Sequence, residues 1–145
     1  MVNSMKKDTP TKNKKTTEDN ISQVDIEAGK ILRTVPDQEA FYFYEAVGKP
    51  TGKVARNLPD FLDKVKSAKM ESLLFHLQRN DFQNWVGGVL GDSKLAEKLK
   101  RISSSDSNNV RMSICKTVEK RIKELRVTSV EMLVVENSTV LLPAS

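Results

Sequence analysis

His76, Arg79 and Asp81 are the residues of this chain whose types and spacing could do chemistry. An aspartate held toward a histidine is part of a general-base arrangement, and an arginine can bind a phosphate or carboxylate through two parallel N–H bonds. His76 and Arg79 lie three apart, on neighbouring positions of one helical face, and Asp81 follows just past the expected helix end. They belong to FHLQRNDFQNWVGGVLGD, Phe75 to Asp92, which also holds the only histidine, the only tryptophan (Trp85) and a second aspartate, Asp92. No nucleophile motif, second histidine or acid cluster accompanies them, so no catalytic residue is assigned. Two readings compete. In one, His76, Arg79, Asp81, Trp85 and Asp92 form a ligand or partner surface. In the other they form a structural network, with His76 hydrogen-bonded, Arg79 paired to Asp81 or Asp92, and Trp85 filling the core with its indole N–H satisfied.

The elements that must position these residues are mostly helical. Asn57 can cap a helix whose first turn holds Pro59 and Asp60, with Leu58, Phe61, Leu62 and Val65 as its apolar stripe. Met70, Leu73, Leu74 and Leu77 mark a second helix ending near Arg79. Asn80 and Gln83 have capping-box spacing ahead of a third stripe, Phe82, Trp85, Val86, Val89 and Leu90, which Gly91 stops. Gly87-Gly88 inside that stripe costs about 1 kcal/mol per glycine against alanine, which suggests close packing or a soft point. Asp92 or Ser93 starts a fourth helix through Leu95, Ala96, Leu99 and Ile102. Upstream, Phe41 to Val47 alternates as a strand, Phe41/Phe43 on one face and Tyr42/Tyr44 on the other. The following Gly48 to Lys53 is turn chemistry, too short and without the hydroxyl for a phosphate loop.

From Phe41 to Ile102, the succession FYF, G-x-x-T-G, N-L-x-x-F, F-H-x-x-R-x-D-F-x-x-W and L-G-D-x-x-L-A resembles a family of small, mainly archaeal proteins classed as a domain of unknown function. The resemblance implies a helical domain following a short extended segment, with marked polar positions at His76, Arg79, Asp81, Trp85 and Asp92. It implies no activity, cofactor or substrate. Gly87-Gly88 departs from it, since ordinary helix formers usually follow the tryptophan there.

Charge is unevenly placed. Of a net +5 over 145 residues, +4 falls in residues 1–15, where Lys6, Lys7, Lys12, Lys14 and Lys15 face one acid, Asp8. Residues 1–20 are expected to be a disordered basic tail, either solubilising or attracted to nucleic acid phosphates. Residues 21–35 are expected to be a short docking helix or a linker, and 36–145 a single globular domain, of which roughly 105 to 110 residues build one core. Ser103 to Asn109 is a solvated link to an amphipathic helix in which Val110, Ile114, Val118, Ile122 and Leu125 share a stripe. Its outer face reads as Arg111, Lys116, Lys120, Arg121, Lys123 and Arg126 against Glu119 and Glu124. Lys116, Lys120 and Lys123 join the tail lysines as electrostatic contacts for nucleic acid or an acidic protein, without base-specific readout from that helix.

Val127 to Leu142 is expected to be a β-hairpin that pairs with Phe41–Val47 or, failing that, dimerises through its edge. The fold expected is thus mainly α with a small β component (α+β), about four helices with a strand near Phe41–Val47 and the C-terminal hairpin. No apolar run approaches the ~20 residues of a membrane-spanning helix, and the N-terminus lacks the apolar segment of a signal peptide, so a cytoplasmic location is expected. One histidine and one cysteine cannot build an all-nitrogen-and-sulfur zinc site within one chain, and no cofactor or metal is expected. The function expected is a non-catalytic binding or adaptor module. The alternative is a small enzyme or phosphorylated-ligand sensor using His76, Arg79 and Asp81.

Overall fold

The computed structural model describes the backbone of residues 23–144 and the side chains as far as Arg126. The basic stretch 1–20, with Lys6, Lys7, Lys12, Lys14 and Lys15, lies outside the described residues. The architecture is mainly helical with one two-stranded antiparallel sheet.

Residues 23–31 form α1, which buries Ala28 and Ile31. A single 3-10 turn, Asp37–Glu39, leads into β1 (Phe41–Ala46), whose alternation is as the sequence suggests: Phe41 and Phe43 are buried and Tyr42 is exposed. Its partner is the segment read as a turn. Lys49–Ala55 forms β2, with Phe41 opposite Ala55 and Tyr44 opposite Pro50. Pro, Gly and Lys are poor strand formers, so β2 owes its form to pairing with β1 and not to propensity. Two extra residues bulge out of β2 between Tyr42 and Tyr44, where Gly52 takes φ +89°.

Asn57 caps α2 (Leu58–Ser67) by accepting the Asp60 N–H at 2.8 Å, with Pro in the first turn. Then α3 (Met70–Gln78) ends at Asn80, which adopts φ 65°, the left-handed conformation asparagine tolerates. The expected capping box does not form, because in that conformation the Asn80 side chain meets the Gln83 amide at 3.1 Å and caps no backbone N–H. Next, α4 (Asp81–Asn84) widens without a break into a π-helical turn, Trp85–Leu90. Gly91 closes it at φ +85°, and Asp92 caps α5 (Ser93–Lys100) through the Leu95 N–H.

The last helix, α6 (Ser107–Ala144), crosses α2, α3 and α5 and buries Val110, Ile114, Val118, Ile122 and Leu125. The C-terminal hairpin expected over Val127–Leu142 is not seen, because the backbone there continues α6. An apolar run of this kind fits helix and strand periods alike. The homodimer envisaged through that hairpin therefore has no strand edge to use. Among the described residues, no helix is long and apolar enough to cross a membrane.

Candidate functional site

β1 lies against α3, and His76 fastens them together. Its Nε2 lies 2.8 Å from the backbone N of Tyr44 and its Nδ1 lies 2.8 Å from Asp81 Oδ2. An amide N–H can only donate, so Nε2 must carry the lone pair and Nδ1 the proton, and Nδ1–H donates a hydrogen bond to Asp81 Oδ2. Burial among the rings of Phe41, Phe43, Phe75 and Phe82 pushes the imidazole below its ordinary value, outweighing the Asp81 hydrogen bond and charge that pull the other way. The ring is 3% exposed and neutral, so the contact with Asp81 is a hydrogen bond and not an ion pair.

The same Asp81 oxygen also accepts Arg79 Nε at 3.1 Å, and the Arg79 guanidinium lies 4.9 Å over the Phe75 ring. Half of the Arg79 side chain is exposed, and among the described residues its two Nη groups have no protein acceptor. Around this corner opens a cleft of about 410 Å³, lined by Phe41, Tyr42, Tyr44, Val47 and Gly48 of the β1–β2 hairpin and by Phe75, His76, Arg79, Asp81 and Trp85. Trp85 belongs to the lining although it is almost entirely buried. It is 6% exposed, donates its indole N–H to Glu39 O at 2.7 Å, and packs on Phe41 and Phe61.

Four of the five residues singled out by sequence thus come together. Asp92 does not join them. It is 2% exposed, splitting its carboxylate between the Leu95 N–H and Arg121 Nε at 2.7 Å. Arg121 is consequently not part of the outer face assigned to it. Burial alone would lower its affinity for the proton, but Asp92 and Glu124 outweigh that and hold it above its usual value. Arg111 is likewise committed, donating to Val65 O and Lys66 O at the end of α2. Lys116, Lys120 and Lys123 are exposed on α6, away from the cleft lining.

Sequence reasoning missed the cleft walls Tyr42, Tyr44 and Phe75. The outward-facing tyrosine pair in the strand alternation was the available signal. Among the described residues no group of three or more His, Cys, Asp or Glu is placed to hold a metal. Cys115 is half-buried, and burial raises its thiol above the usual range.

Residues 77–136 match a family described as "Family of unknown function (DUF5752)". The similarity covers less than half of the chain, starts immediately after His76, and includes Arg79, Asp81, Trp85 and Asp92 but neither β1 nor β2. No curated protein and no solved structure matches the chain.

Proposed function

We propose that this chain is a non-catalytic binding module for a negatively charged partner, with the cleft between β1 and α3 as its recognition site. One observation carries the reading. Both His76 nitrogens are committed to structure, while Arg79, whose Nη groups have no protein acceptor among the described residues, lines an open cleft together with Tyr42 and Tyr44. A general base needs a free lone pair, and the lone pair of Nε2 is engaged by the Tyr44 amide. A cleft of about 410 Å³ falls in the size range of ligand sites. Lys116, Lys120 and Lys123, with the lysines of residues 1–15, add sequence-independent attraction to a polyanion.

The test is titration of the full chain with a short oligonucleotide and with oligoglutamate at rising salt, following the fluorescence of Trp85. At least one polyanion is expected to perturb Trp85, to bind more weakly as salt rises, and to lose the perturbation in Arg79→Ala while circular dichroism stays unchanged. Binding that never reaches Trp85 and is indifferent to Arg79 would place recognition elsewhere and sink the reading.

A further inference from the structure

Resting on the cleft as a recognition site, we propose that its occupant is an unpaired base of a single-stranded nucleic acid, with guanine preferred. The polar corner of the cleft decides against a free anion. Arg79 is bound through Nε to the Asp81 carboxylate, so the pair is close to neutral, and a phosphate or carboxylate entering the cleft meets Asp81 as well as Arg79. A neutral acceptor edge meets no such opposition. The two Nη groups form the outer end of the guanidinium fork, and the O6 and N7 acceptors of guanine are the base edge that arginine most often binds in bidentate fashion.

The walls suit the same occupant. Tyr42 and Tyr44 bring aromatic rings to the cleft lining, on which a base can stack, and the Phe75 ring lies beneath the Arg79 guanidinium at 4.9 Å. Tyr42 is 43% exposed, so its ring is accessible to a ligand. Between β1 and β2, Gly48 lines the cleft and the adjacent Lys49 is exposed, a cation close by in sequence for the backbone phosphates of a bound strand. An acidic peptide would use the chain's positive charge but would leave the rings and the neutral fork without a function. A paired base cannot enter without leaving its stack, which favours single strands.

The full-length chain is titrated with oligouridine and with the same oligomer carrying one central guanosine. Trp85 is the only tryptophan and lines the cleft, so it reports a base bound there. The guanosine oligomer is expected to bind about tenfold more tightly or better and to quench Trp85. Arg79→Lys keeps the charge and removes the fork, and is expected to bring the two oligomers to the same affinity. Tyr42→Ala is expected to weaken both by about tenfold. Circular dichroism checks that each variant is folded. Equal binding of the two oligomers by the unaltered chain, or oligonucleotide binding that leaves Trp85 unchanged, overturns the proposal. If oligoglutamate then perturbs Trp85 in an Arg79-dependent way, the cleft remains a recognition site with a peptide occupant. Silence of Trp85 toward every polyanion removes both readings.

Discussion

His76 shows how one side chain can look catalytic in sequence and serve as a clamp in the fold. Its two ring nitrogens join three chain segments: the Tyr44 amide of β1, the body of α3, and Asp81 at the start of α4. Protonating Nε2 would set two donors against each other and break the link to Tyr44. Because burial lowers the folded-state value below the unfolded 6.5, the unfolded chain takes up the proton first as pH falls. The contribution of His76 is therefore complete above about pH 6.5 and is lost as pH drops from there through the lower folded value. Denaturant midpoints measured between pH 8 and pH 5 should fall on the acid side. In His76→Phe that component of the slope should vanish, with stability at pH 8 already reduced by about 1–3 kcal/mol for the stranded Tyr44 N–H.

At the scale of elements, the stripes and every cap but that of Asn80 are legible in the sequence, and the pairings are not. Asn57, Gly91 and Asp92 punctuate helices as their types dictate, because each acts within one turn of its own position. The stripe of α6 at steps of four, four, four and three is fully buried for the same local reason. By contrast, β2 exists only because β1 offers it hydrogen bonds, and Gly48 at φ +73° lets the chain reverse tightly enough to reach them. The glycine pair after Trp85 also acquires a reason. A Cβ on Gly87 would stand 3.2 Å from the Ala96 Cβ, so α5 packs there against bare backbone, while Gly88 faces open space. Arg33 completes that π-helical turn, donating to Val89 O at 2.8 Å and Leu90 O at 3.5 Å. Gly88→Ala should therefore stabilise the protein by about 0.4–1 kcal/mol by restricting the unfolded chain. Gly87→Ala should not match that gain. Thermal melts of the two variants side by side would check it.

Across the whole molecule, distant elements are tied by buried or half-buried arginines that composition counts merely as surface charge. Arg111 secures the end of α2 to α6, and Arg121 reaches from α6 to the buried Asp92 at the head of α5. Asp92→Ala removes a cap and leaves a guanidinium without its buried partner, an expected loss of about 3–5 kcal/mol in urea unfolding. Asp92→Asn combined with Arg121→Met keeps a capping oxygen and strands no charge, and is expected to lose much less.

The sequence by itself determined the mainly helical class, the buried stripes and the position of β1, since hydrophobic period and capping act over a few residues. Tertiary structure decided the rest. It chose β2 over a C-terminal hairpin as the partner of β1, sent Asp92 to Arg121 and Asp81 to His76, and opened a cleft between hairpin and helix. Those outcomes depend on which distant groups meet, and one carboxylate in the sequence is like another until the packed chain sets a partner beside it.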